Sequence, residues 1–243
     1  MREISGRRRR LQSRRAEARS ALGGAALNFA TVWRWPVVPG VGLADDGEHR
    51  ETEAYGGTGA DPDGTPRACA CPDPHCPVPG AHPLDPPLLA ATTDGRMVSW
   101  WWSGADGPAA PVLLATGGDA PCAVSLPAEA GHRALDRLDR LGVRLGPVVA
   151  TPTRWAVLVA PYSLAALGEL LWSKDRVPGT LRFHGDGGYL ALPPSEAADG
   201  EVRWERAPLP GSARPWLPAV EAVMDALLEA SNGAPDGGTR VSR

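Results

Sequence analysis

Val112-Leu113-Leu114-Ala115-Thr116-Gly117-Gly118-Asp119-Ala120-Pro121-Cys122-Ala123-Val124-Ser125-Leu126, residues 112–126, sets two short apolar runs on either side of a Gly-Gly-Asp turn. Apolar runs of four to six residues bounded by turn residues read as buried strands. The period then changes. Over 128–141, Leu135, Leu138 and Leu141 recur every three residues among Asp and Arg, which predicts an amphipathic helix. Residues 147–150 and 155–160 predict a strand pair across Thr151-Pro152-Thr153. Ser163 is suited to cap a helix through Leu167, Leu170 and Leu171. Residues 181–183, 189–192 and 202–205 read as further short strands, and Pro215 opens a last helix with Val220, Val223, Leu227 and Leu228 inward. Helices and strands interleaved over 111–206 predict an α+β domain, a mixed sheet with flanking helices.

Upstream of that core, Leu22, Ala25, Ala26, Phe29 and Trp33 recur at helical spacing and predict a helix over 14–34. Pro36 ends it, and Trp35-Pro36-Val37-Val38-Pro39 reads as extended chain. Residues 1–20 carry eight Arg against Glu3 and Glu17 and are expected to begin as a disordered basic tail. Residues 40–66 are acidic, Gly-rich and aperiodic, and read as a mobile loop. The expected organisation is a tail over 1–20, one domain over 21–231 with a Cys-rich insertion over 67–87, and a disordered tail over 232–243.

Composition narrows the function classes. The 243 residues are 43% hydrophobic and 22% charged, ordinary for a globular chain, with 29 Gly and 26 Pro lengthening its turns. A net charge of −3 excludes a generic polyanion binder. No run of 18 apolar residues exists, which excludes an ordinary membrane-spanning helix. Arg14, Arg15, Glu17 and Arg19 stand between the Arg7–Arg10 run and the apolar stretch at 21–30, and Gly23, Gly24 and Asn28 dilute that stretch, so no signal peptide is read there and a cytoplasmic location is expected. Four cysteines are too few for a disulfide scaffold at this length.

Three of those cysteines cluster. Cys69, Cys71, Cys76 and His82 follow a C-x-C-x4-C-x5-H spacing, with prolines between them and Gly80 for a sharp turn. A Cys3His set is a standard structural zinc site, and the metal would order a loop without a core of its own. His75 competes as fourth ligand. His82 is preferred because His75 adjoins Cys76 and would have to fold back. Cys122, on a predicted strand, reads as a core thiol.

Several segments, in order, resemble the N-terminal domain of bifunctional DNA primase/polymerases, the prim-pol domain. They are the opening helix with Trp35-Pro36-Val37-Val38-Pro39, the cysteine segment with Gly80-x-His82-Pro83, and Thr116-Gly117 before the strand and helix at 122–141. Ala150-Thr151-Pro152-Thr153 and Gly185-Asp186-Gly187-Gly188-Tyr189 through Pro193-Pro194-Ser195 complete the set. The resemblance implies a prim-pol-like fold, of archaeo-eukaryotic primase type, and nucleotidyl transfer with two Mg²⁺ or Mn²⁺ ions held by carboxylates. The positions that match the family's metal carboxylates hold Ser125, Pro127 and Arg182. The position of its nucleotide-binding histidine holds Trp155 or a neighbour. A hydroxyl, a proline and a guanidinium cannot hold divalent cations.

The expected reading is therefore a catalytically degenerate, zinc-stabilised member, not read as an enzyme. It would bind DNA, a nucleotide or a protein partner, with Arg182, His184 and Tyr189 in the cleft and Arg203 or Arg206 assisting if they face it. Mg or Mn would be needed only if catalysis survives. Two alternatives stay open. One is an active primase/polymerase rebuilt on Asp119, Glu129 or Asp186. The other is a zinc-stabilised protein-interaction module using part of Trp100-Trp101-Trp102. No enzymatic domain is expected beyond residue 231, so any role in replication would need a partner.

Overall fold

The computed structural model describes residues 2–44, 67–104 and 109–232, with the backbone alone over 2–12 and at Arg14. Most of the expected acidic loop, 45–66, and the tail from 233 lie outside the described residues. A long helix, α1 (Arg2–Leu27), continues as a π-turn over Asn28–Val32. It begins well before the expected start at 14, so the segment expected as a tail is helical backbone. Arg, Glu, Gln, Leu and Ala are good helix formers, and no proline interrupts them before Pro36.

The chain then forms β1 (Val37–Pro39), α2 (Gly95–Trp102), β2 (Val112–Thr116), β3 (Cys122–Pro127) and α3 (Ala128–Arg140). There follow β4 (Val148–Ala150), β5 (Arg154–Val159), α4 (Leu164–Trp172), β6 (Arg182–His184) and β7 (Gly188–Leu192). A small hairpin of β8 (Glu196–Ala197) and β9 (Gly200–Glu201), then β10 (Arg203–Arg206) and α5 (Val220–Asn232), complete the fold. The α+β class is as expected. The single mixed sheet of the sequence reading is instead two sheets, β1-β2-β7 and β10-β4-β5-β3-β6, with antiparallel pairing at every described ladder. The chain passes from one sheet to the other through the tight turn between β2 and β3, a connection that strand patterns alone do not reveal.

Alternation along β3 and β5 feeds two cores. Cys122, Val124, Leu126, Trp155, Val157 and Val159 face α3 and α5, where Leu138, Val223, Met224 and Leu227 are buried. Ala123, Ala156 and Leu158 face the other way, toward Val112, Leu114 and Leu192 of the smaller sheet and Leu22, Ala26 and Phe29 at the end of α1. With both faces covered, the strands read as continuous apolar runs. The buried Cys122 is part of the first core, where burial raises its thiol.

Two helix readings need correction. Leu141, expected inside, is 61% exposed because α3 ends at Arg140 and the chain turns away at Gly142, φ +67. The last helix starts at Val220 and not at Pro215, since Pro218 disfavours helix in the residue before it. Ser163 does cap α4, accepting from the Ala166 amide at 3.1 Å.

Candidate functional site: a cationic cleft and a cysteine cluster

Register brings the expected cleft residues together. Ser125 of β3 lies opposite Arg182 of β6, Ala123 opposite His184, and Pro127 opposite Arg154 of β5. Directly paired residues of an antiparallel ladder share a face. Ser125, Pro127, Arg154, Arg182 and His184 therefore lie on one side of the five-stranded sheet, the side away from α3 and α5. Ser125 is buried and Arg182 is exposed.

A hydrogen-bond network fills this face. The Arg154 Nη2 donates to Ser125 O at 2.9 Å, to Thr180 O at 2.9 Å and to Ser125 Oγ at 3.2 Å. His184 Nδ1 lies 3.1 Å from the Tyr189 carbonyl, which can only accept. Nδ1 thus carries the proton, and Nε2 accepts from the Ser125 hydroxyl at 2.9 Å. Burial, with Arg182 adding repulsion, lowers the Arg154 guanidinium to about 10, so it stays charged at neutral pH. Burial likewise lowers His184, and Arg154 and Arg182 add to the effect against the raising influence of the Tyr189 carbonyl.

His184 consequently binds a proton more weakly folded than unfolded. Its contribution to stability is full above its ordinary value of 6.5 and declines as pH falls below it. We expect the thermal midpoint of the wild type to drop more between pH 7.5 and 5.5 than that of His184→Gln. Equal drops in calorimetric scans would refute this. Both proteins keep His82, so acid loss at the cysteine cluster cancels in the comparison.

Arg154 is the cleft residue that sequence reasoning missed. Its signal was present, since it opens the strand after Thr151-Pro152-Thr153, but the register that aims it at Ser125 was not. Arg203 and Arg206 require the opposite correction. They sit on β10, four strand spacings from β6, about 19 Å away. Arg206 instead makes two bonds to Asp139 at 2.8 and 2.7 Å, and Arg203 pairs with Glu205. Tyr189 joins the cleft through its carbonyl, while its phenol, raised by burial, feels Cys76.

Among the described residues, the acids considered as substitutes form no group of three or more placed to hold a metal ion. Asp119 precedes β3 and Glu129 follows it, ten residues and the length of the strand apart. Asp186 packs its backbone against Gly117, in the turn that joins β2 to β3. Asp199 stands near the Thr151-Pro152-Thr153 turn and already accepts from Thr151 at 2.6 Å and Thr153 at 2.5 Å. Of Trp100, Trp101 and Trp102 on α2, Trp100 is exposed and the other two pack on the second core.

The second assembly is the insertion. The ligand atoms of Cys69, Cys71, Cys76 and His82 all lie within 4.8 Å of one another. Among the described residues this is the one group of three or more Cys, His, Asp or Glu placed to hold a metal ion. Cys69 Sγ is 3.4 Å from His82 Nε2, close to the edge of roughly 3.5 Å in a tetrahedral zinc site. His82 Nδ1 lies 3.0 Å from the Pro83 carbonyl, which leaves Nε2 free to ligate. His75 is exposed and outside the group, its amide bonded to Asp73. The thiols oppose one another electrostatically. Burial, and the neighbouring Cys71 and Cys69, push Cys76 to about 12. Cys69 is lowered despite its burial, by bonds from the Gly80 and Cys71 amides and from His82. A cation at the centre would relieve that conflict.

Local backbone builds the cluster. Cys69 pairs with Leu43 and His82 with Val41, so the strip 41–44 forms a floor. Gly80 has φ +74, its amide donates to Cys69 Sγ at 3.4 Å, and a Cβ there would lie 2.6 Å from Leu43 Cδ2. Only glycine fits that turn.

A family model, Bifunctional DNA primase/polymerase, N-terminal, matches residues 26–220. The chain belongs to this prim-pol family. No curated protein and no solved structure matches it. The prim-pol match spans both sheets and the cysteine insertion, so the cleft on β3 and β6 and the metal-type cluster both lie within the family domain. No described helix is long and apolar enough to cross a membrane.

Proposed function

We propose that this prim-pol domain binds nucleic acid or a nucleotide through a metal-independent cationic cleft and does not polymerise. One observation carries the reading. Ser125, Pro127 and Arg182, which the resemblance sets at the family's carboxylate positions, share one face with Arg154 and His184. Two guanidiniums there repel a divalent cation and attract a phosphate. Arg182 is exposed and suited to touch the ligand, while Arg154 is committed to the sheet. Cys69, Cys71, Cys76 and His82 would hold a structural zinc, whose role is to order residues 67–87. Reduced thiols of this kind fit the cytoplasm.

The test is template-dependent nucleotide incorporation with Mg²⁺ or Mn²⁺, paired with fluorescence anisotropy on a labelled 5′-phosphorylated oligonucleotide. We expect no incorporation. We expect salt-sensitive binding, unchanged by added Mg²⁺ and weakened about tenfold in Arg182→Ala. Incorporation that disappears in Asp119→Ala, Glu129→Ala or Asp199→Ala would show a rebuilt metal site and overturn the proposal.

A protein-interaction module is the second reading. It is favoured by α4, where Leu164 and Trp172, 71% and 92% exposed, lie two turns apart on an open face. Oligonucleotide binding lost in Arg182→Ala and retained in Trp172→Ala would decide for the cleft.

A further inference from the structure

A concavity of about 310 Å³ lies between the end of α1 and the turn joining β2 to β3, lined by Arg34, Thr93, Asp119 and Arg214 with the backbone of Gly117. It sits in the turn just before β3, whose first residue is about 10 Å along the strand from Ser125, and it shares no lining residue with the cleft. Its most informative residue is Arg34. The Trp35 amide donates back to Phe29 O at 2.9 Å, and the rings of Phe29 and Trp35 pack at 6.3 Å. This seven-residue closure is one residue wider than a Schellman ending because it follows a π-turn; it carries the same apolar contact, and its penultimate position is left-handed. Arg34 takes that position with φ 58, and no other described non-glycine residue has a positive φ.

Glycine would adopt this conformation without the steric cost that a Cβ brings. The arginine side chain gives nothing back inside the protein. Arg34, Arg214 and Asp119 are exposed, and none has a side-chain hydrogen bond or ion pair with a described residue. Yet the fold brings them to one place. Trp33 Nε1 donates to Ser212 O at 3.0 Å, which anchors the Arg214 segment against the helix end that presents Arg34.

We propose that this concavity binds a phosphate ester of a polyhydroxy compound, a nucleoside phosphate or a sugar phosphate. Two guanidinium forks match phosphate oxygens. A carboxylate in the same site repels phosphate, so Asp119 selects ligands that also offer donors, as the vicinal hydroxyls of a ribose do. Thr93 adds a hydroxyl of either polarity. Strain held at a residue that faces a cavity and is unpaired is the pattern expected of a ligand contact.

Isothermal titration of the full chain with ADP, ribose 5-phosphate and pyrophosphate tests this. ADP and ribose 5-phosphate bind the wild type. Arg34→Gly weakens both by about tenfold or more, with a thermal midpoint equal to or above that of the wild type. Arg214→Ala weakens both as well. Asp119→Asn weakens ADP and ribose 5-phosphate but not pyrophosphate. The same titrations are run in an Arg182→Ala background, which removes the ligand contact of the cleft, so that the Arg34, Arg214 and Asp119 effects read this concavity and stay distinct from the proposed function. The proposal fails if the wild type binds neither ester or if Arg34→Gly binds ADP unchanged. It fails equally if Arg34→Gly lowers the midpoint, because Arg34 would then serve the helix end through its dipole.

Discussion

We expect protein purified and kept under reducing conditions to carry about one zinc ion per chain, and Cys76→Ser to lose it. This follows from the Cys3His donor set, whose ligand atoms lie within 4.8 Å of one another. Structural zinc is worth on the order of 10 kcal/mol at neutral pH, far more than any single contact in the insertion. The insertion has little else to hold it. Cys71 is its buried hydrophobic side chain, Leu43 of the 41–44 strip lies opposite Cys69, and its ties among the described residues include backbone bonds and the Arg67–Glu196 pair at 2.5 Å. The two cores draw their buried side chains from other segments. Chelation should therefore open residues 67–87 to protease while the far-UV circular dichroism of helices and sheets persists. Elemental analysis that finds no metal in reduced protein would remove the zinc from the proposal. Collapse of the whole circular dichroism signal on chelation would show that the domain cannot stand without the insertion.

Arg154→Ala is the second large effect, an expected loss of about 3 kcal/mol in urea unfolding. Its guanidinium ties β3 to the segment entering β6 by donating to the Ser125 and Thr180 carbonyls at 2.9 Å each. Truncation leaves both acceptors and the Ser125 hydroxyl short of a donor, and a buried unpaired acceptor costs about 1–3 kcal/mol. The relieved repulsion with Arg182 offsets part of that. Arg154→Lys should rescue part of the loss, because all three bonds leave from the one nitrogen Nη2 and an ammonium also carries three donors, though on a shorter stem. Arg182→Ala, on an exposed side chain, should leave stability within about 0.5 kcal/mol. The contrast separates the arginine that builds the cleft from the one proposed to meet a ligand. A loss under about 0.5 kcal/mol for Arg154→Ala would mean that water replaces the guanidinium and that the cleft is wetter than its burial indicates.

Some of this was legible one residue at a time. The spacing of Leu135 and Leu138 marked α3, the apolar runs marked β2 and β3, and Ser163 marked the start of α4, because hydrophobic period and capping are local properties. The cysteine spacing marked its own cluster, since four donors within 14 residues can converge only by closing one loop. The family resemblance singled out Ser125, Pro127 and Arg182, three positions that the register sets on one face of the sheet with Arg154. What stands beside them is not a local property. Arg154 entered the cleft and Arg203 and Arg206 left it because pairing order and register decide which side chains share a face, and a one-residue slip would reverse each of them. Arg34 was read as the last residue of the opening helix. Its left-handed backbone comes from the closure of Trp35 onto Phe29, and its neighbours Asp119 and Arg214 arrive from 85 and 180 residues away. The sequence by itself determined the elements, the metal-type cluster and the family. The tertiary structure decided the charge of the cleft and the composition of the second concavity, because contacts between distant segments are set by packing of both sheets at once and not by any local preference.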